Sequence, residues 1–194
     1  MKRVKELSQA FVEVNRSRFH AFLVPQEAFA SLHKTLKREH PKANHIAWAC
    51  RFLDDGQRIT EDFSDDGEPK GCAGMPMLNV LRGNELVGCG VLVVRYFGGI
   101  KLGTGGMARA YAQSAKAAVS SAALLAYEAP GRVAFFTPFS QIGRWEHTIA
   151  HLGEFAIERR FGPEGAHWVV EGGQSAVGRL AEALTKARID IKTE

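Results

Sequence analysis

The sequence predicts an α+β protein built as two domains, and three observations predict it. A nearly unbroken apolar run at 86–96 leads into a glycine-rich segment and then an alanine-rich stretch with helical character. Further on, Glu128-Ala129-Pro130-Gly131 punctuates the chain as a boundary. Beyond it the pattern reads strand, helix, strand, strand, helix and a possible last strand. That βαββα(β) order is the order of a ferredoxin-like domain. The expected domains are 1–128 and 132–194.

Each element follows from its own residues. Segments 11–14 (FVEV) and 19–24 (FHAFLV) are rich in β-formers, and the polar NRSR between them predicts a hairpin. From Glu27 to Glu39, Phe29, Leu32 and Leu36 fall at helical spacing, and His40-Pro41 stops the helix. Residues 44–53 (NHIAWACRFL) read as a strand that turns at Asp54-Asp55-Gly56. The polar, acidic residues 60–73 read as a loop. Pro76 opens a short helix carrying Met77, Leu78, Val80 and Leu81, which Arg82-Gly83-Asn84 ends. The run 86–96 (LVGCGVLVVRY) suits a strand buried on both faces. A long helix is expected from Thr104 to Ala126, its alanines allowing close packing on a sheet. In the second domain 133–137, 154–161 and 166–171 read as strands, 139–152 and 175–187 as helices, and Ile189 and Ile191 as the start of a last strand.

Composition narrows the class. Of 194 residues, 45% are hydrophobic and 24% charged, which is a globular mix and excludes a disordered or collagen-like chain. No apolar run is long enough to span a bilayer, and the N-terminus lacks the apolar core of a signal peptide. The three cysteines, Cys50, Cys72 and Cys89, form no CxxC pair and are odd in number. Small apolar filler in a reducing cytoplasm is the expectation, with no membrane association. Net charge is +4, distributed unevenly. Residues 1–50 carry 9 basic and 4 acidic side chains, residues 51–90 carry 4 and 8, and residues 91–130 carry 4 and 1. The balance permits an anionic partner.

The chemistry concentrates in two stretches. In Arg95-Tyr96-Phe97-Gly98-Gly99-Ile100-Lys101-Leu102-Gly103-Thr104-Gly105-Gly106-Met107-Ala108-Arg109, a buried strand passes through five glycines into a helix. Glycine lets backbone amides approach a ligand, and a helix start leaves amides unpaired. With Arg95, Lys101 and Arg109 nearby, the stretch suits an anion held by Gly98, Gly99, Lys101, Gly103, Thr104, Gly105 and Gly106. It fits neither GxxxxGK[ST] nor a clean GxGxxG, so no standard nucleotide motif is met. A tight connection relieved of crowding by glycine is the plainer reading. In the second stretch, Asp62–Gly71 (DFSDDGEPKG), the carboxylates of Asp65, Asp66 and Glu68 could bind Mg²⁺ or pair with the basic loop. A solvated acidic turn is again the plainer reading. His147 and His151 stand at i, i+4 without the glutamate of HExxH and read as surface residues, and His45 near Trp48 reads as sheet packing. No metal site is expected.

SDDGEPKGCAGMPMLNVL at 64–81, followed by VLVVRYFGGIKLGTGGMARAY at 91–111, resembles the signature of the YigZ/IMPACT family. SRF at 17–19 and HPKANHIAWACR at 40–51 fit the same pattern, so the likeness spans roughly residues 15–126. Cys72 departs from it, standing where a small hydroxylated residue is expected. The resemblance implies an N-terminal domain like the second domain of ribosomal protein S5 and a ferredoxin-like domain like the last domain of elongation factor G. Eukaryotic relatives regulate translation through protein contacts. The implied function is a non-enzymatic, translation-associated regulator that binds RNA or a ribosomal or factor surface through the basic glycine loop, without a cofactor. Two alternatives stand beside it. One is an Mg²⁺-dependent enzyme for a phosphorylated small molecule or nucleotide, since the S5-like fold also serves small-molecule kinases. The other is a protein-interaction module that takes no nucleic acid.

Overall fold

Alternation of buried and more open side chains marks the hairpin that begins the first sheet. The computed structural model describes residues 1–193 and divides into two compact units, the first Met1–Tyr127 and the second beginning at Glu128. In the first unit β1 (Lys2–Val4) precedes a hairpin of β2 (Ser8–Val14) and β3 (Ser17–Pro25). Asn15 and Arg16 both have positive φ, the geometry of a two-residue hairpin loop whose twist matches the strands. Then come α1 (Gln26–Glu39), β4 (His45–Leu53), β5 (Ile59–Ser64), α2 (Gly74–Gly83), β6 (Cys89–Tyr96), α3 (Gly103–Ser120) and β7 (Leu124–Ala126).

Five of these strands form an antiparallel sheet in the order β2-β3-β6-β4-β5, while β1 pairs with β7. The sheet is covered on both sides. Phe19, Leu23, Val91 and Val93 face α2 and α3, whose Met77, Leu78, Leu81, Ala110, Tyr111, Ala115 and Ala118 are buried against them. Val24, Ile46, Leu92 and Val94 face α1 through Phe29 and Leu36. The central β6 is therefore buried on both faces, as its unbroken apolar run predicts.

The second unit runs β8 (Pro130–Pro138), α4 (Ile142–Leu152), β9 (Phe155–Phe161), β10 (Gly165–Gly173), α5 (Gln174–Lys186) and β11 (Ile191–Thr193). Its antiparallel sheet has the order β11-β8-β10-β9, the ferredoxin-like arrangement expected from the element order. One face carries α4 and α5, which bury Trp145, Ile149, Val177, Leu180 and Leu184 against Val133, Phe135, Trp168 and Val170. Trp168 stacks on Phe135 at 5.5 Å and donates its indole N–H to Thr137 Oγ1 at 2.8 Å, so its polar edge is satisfied inside the core. The fold is thus α+β in two domains. No helix among the described residues is long and apolar enough to cross a membrane.

Three elements differ from their expectation. The expected loop at 60–73 begins as β5, an edge strand whose Thr60, Glu61 and Asp62 lie open to solvent while Phe63 packs on the core, so its polar stretch is paired to β4 by backbone hydrogen bonds that hydrophobic periodicity does not show. The helix expected to reach Ala126 ends at Ser120 because Leu124–Ala126 pairs with Lys2–Val4 from the chain start. The strand expected from residue 86 begins at Cys89, after a turn containing Gly88 at positive φ.

Candidate functional site

The acidic segment folds on itself before it meets anything basic. Asp65 Oδ2 accepts the Gly71 amide at 2.7 Å, and its Oδ1 accepts those of Ala73 and Gly74 at 2.9 and 2.8 Å. Ala73, at the N-cap of α2, has no side-chain oxygen of its own, so Asp65 satisfies the helix start from a distance. Burial pushes the Asp65 carboxyl upward, but the three amides outweigh it and hold the group below the usual aspartate range. Asp66 Oδ2 accepts the Ile46 amide at 2.7 Å and ties the loop to β4. The His45 Nδ1–H donates to the Asp66 carbonyl at 2.7 Å.

Glu68 is the acid that reaches the basic strand. Its Oε1 accepts from Arg95 Nη1 at 2.5 Å and from the Tyr111 hydroxyl at 2.8 Å, and all three residues are buried. His45 Nε2 lies 3.8 Å from Glu68 Oε2. The Arg95 guanidinium also packs against Met107 Sδ and lies 5.6 and 5.7 Å from the rings of Phe19 and Phe97. Burial, followed by the charge of Glu68 and its hydrogen bond, pushes the Tyr111 hydroxyl far up, so it remains a donor. Arg95 therefore does not belong with the exposed cations of the expected anion site. On β6 it shares a face with Val91 and Val93, which points it into the core beneath α3.

The glycine loop between β6 and α3 divides into two parts. Its first part is tied to the domain. The Phe97 amide donates to Asn44 Oδ1 at 2.8 Å and the Gly98 amide to Ser17 Oγ at 3.1 Å. A β-carbon at Gly98 would lie 2.0 Å from the Arg16 carbonyl carbon, so this glycine serves close packing on the β2–β3 turn. The second part is open. Gly99, Lys101, Gly103, Thr104, Gly105 and Arg109 are exposed. The amides of Gly103, Thr104 and Gly105, at the start of an 18-residue helix, have no acceptor among the described residues. Arg109 folds back toward that start, its Nη1 3.4 Å from where a β-carbon on Gly105 would sit. Gly106, partly covered by Leu102, lies at the edge of this surface.

The remaining candidates are committed elsewhere. All three cysteines are free and buried, and burial pushes the thiols of Cys50 and Cys89 up to about 11 and about 12. His151 Nδ1–H donates to the His147 carbonyl at 2.8 Å, an arrangement internal to α4. Sequence reasoning missed Asn44, Ser17, Tyr111 and Met107. Only Tyr111 had a usable signal, since it falls one helical turn beyond Met107 on the buried face of α3.

Comparison with known proteins places these features in a family. A model described as the Impact N-terminal domain matches residues 15–119. An IMPACT family member of Thermus thermophilus is 37% identical over 189 residues, covering 92% of this chain and 99% of that protein. The IMPACT family member YigZ of Escherichia coli is 44% identical over 104 residues, covering 51% of this chain. The chain spans about half the length of the E. coli protein and of a Haemophilus influenzae relative, 50% and 53%. A crystal structure of a hypothetical protein superposes with a TM-score of 0.68 at 25% identity, covering 99% of this chain and 95% of the other.

Proposed function

The chain belongs to the IMPACT family, and on that premise we propose that it is a translation-associated regulatory protein that binds the phosphate backbone of RNA through the open half of the loop between β6 and α3. The observation that carries the reading is the set of amides at Gly103, Thr104 and Gly105, unpaired among the described residues and carried by exposed residues. Unpaired amides at a helix start form a positive, hydrogen-bonding surface that fits a phosphate oxygen. Lys101 and Arg109 flank them with full charges. Contacts of this kind recognise the backbone without reading sequence. The translational setting comes from the resemblance to eukaryotic relatives that regulate translation.

The acids argue for support rather than catalysis. Both oxygens of Asp65 hold amides, and Glu68 is enclosed with Arg95 and Tyr111.

A filter-binding salt titration with the full chain tests the proposal. RNA affinity is expected to fall linearly in log-log form with salt. Lys101→Glu should weaken it for every sequence and flatten the slope by about one for each phosphate that is no longer neutralised. No affinity at low salt, or affinity indifferent to Lys101→Glu and Arg109→Glu, would refute it. A partner retained through the same loop after nuclease treatment would favour an acidic protein surface instead.

A further inference from the structure

Helix α1 covers only part of its side of the five-stranded sheet. Phe29 and Leu36 pack over Val24, Ile46, Leu92 and Val94, which belong to β3, β4 and β6. Toward the β2 edge α1 leaves Phe11 exposed and His20 and Tyr96 half-buried, with the ring of His40, at the C-cap of α1, 6.1 Å from that of His20. Phe11 is 54% exposed. It stands directly opposite His20 in the β2–β3 register, with ring centroids 5.0 Å apart. Gln9, Phe11, His20 and Phe22 line an open crevice of about 270 Å³. His20 lies 6.0 Å from Tyr96, whose hydroxyl meets His40 Nδ1 at 2.8 Å and whose ring carries the Arg18 guanidinium at 5.4 Å.

Two further observations indicate what would rest there. The first is charge. Arg16 and Arg18 are exposed at the turn end of this face, and Glu13, opposite Arg18, is the acid in that row. The second is continuity with the loop described above. Gly98 packs on the Arg16 carbonyl without room for a β-carbon, and Ser17 Oγ accepts its amide. Hairpin turn and glycine loop therefore form one surface. Phe11 and His20 lie three residues up the strands from Val14 and Ser17, a distance of about 10 Å.

We propose that Phe11 and His20, bordered by Tyr96 and Arg18, form a stacking platform for the bases of single-stranded RNA whose phosphates run along Arg16 and the β6–α3 loop. Exposed rings on a sheet accept unstacked bases, which a duplex keeps hidden, and adjacent guanidinium groups hold the backbone. The inference rests on the phosphate-binding reading and adds that the strand is single and that its bases are contacted.

Fluorescence anisotropy on the full chain tests it with three labelled probes: a single-stranded RNA of about ten nucleotides, an abasic phosphodiester of equal length, and an RNA duplex. The single strand should bind tightest. Phe11→Ala should weaken it roughly tenfold and leave the abasic probe unchanged, while Phe11→Trp restores binding. Phe11 is exposed on an edge strand, so the variant should fold, and its circular dichroism spectrum checks that. Equal affinity for RNA and abasic strand, tighter binding of the duplex, or a Phe11→Ala effect common to all probes overturns the platform and leaves the phosphate loop standing. Failure of all three probes to bind removes the phosphate loop and the platform with it.

Discussion

Arg95 carries a charge into the packed space between the sheet and α3, and Glu68 meets it there with 7% of its surface exposed. A charge left alone at such depth costs far more than its pair contributes. Glu68→Gln should therefore lower stability by about 3 kcal/mol or more, read as a fall in the urea midpoint. Tyr111→Phe deletes only a hydrogen bond to the charged group and should cost about 1.5–3 kcal/mol. The opposite ranking would show that the ion pair does not hold the acidic segment. Neighbouring glycines separate two further effects. Gly99, at φ +83° with open space around it, should tolerate alanine for about 1 kcal/mol. Gly98→Ala should cost more, because the hairpin backbone itself must move; equal losses would contradict the close packing. At this scale the site was half legible. A cation beside glycines reads as a phosphate contact, yet the spacing Val91, Val93, Arg95 already put this one on a buried face. On a strand covered on both sides, period two does not reveal which residue tolerates burial, and the pairing acid lies 27 residues away in sequence.

Elements with a large apolar face were readable, and those held by backbone pairing or remote caps were not. Helix α1 shows Phe29, Leu32 and Leu36 at helical spacing. Strand β5 shows Thr60, Glu61 and Asp62, all exposed, and the three-residue strands β1 and β7 pair across more than a hundred residues. The start of α2 belongs to the second group, because its cap is Asp65 rather than a residue at the helix itself. Asp65→Ala should cost about 0.5–2 kcal/mol at pH 7. The sign of the pH effect follows from the direction of the shift. The folded carboxyl ionises below its unfolded value of about 3.9, so its contribution is complete above that pH and is lost as pH falls through the lower, folded value. Urea midpoints of the variant and the unaltered chain should thus differ at neutral pH and converge on acidification below about pH 4. A gap that widens in acid would mean that Asp65 does not work as an ionised cap.

The two units hold separate apolar cores, that of the first lying in layers on both faces of its sheet, and this implies two units of cooperativity. The first surrounds Phe19, Leu81 and Tyr111, and the second surrounds Trp145, Trp168 and Leu180. The second was the more legible in sequence, because α4 and α5 carry periodic apolar faces, its elements are short and bounded by turn residues, and an antiparallel βαββαβ order leaves few unknotted arrangements. The first was less so, since β6, the last of its five sheet strands along the chain, enters between β3 and β4, an insertion that no local pattern encodes. A 67-residue unit has little surface to bury, yet this one encloses two tryptophans and satisfies one of them with Thr137. Residues 128–194, produced alone, should therefore fold and melt cooperatively by circular dichroism. In the full chain Leu180→Ala removes a fully buried side chain and should cost about 2–5 kcal/mol. For a domain of this size that lowers one calorimetric transition by about 10 °C or more while the transition of residues 1–127 stays in place. A single transition that moves as a whole, or an unfolded fragment, would mean that neither core stands without the other.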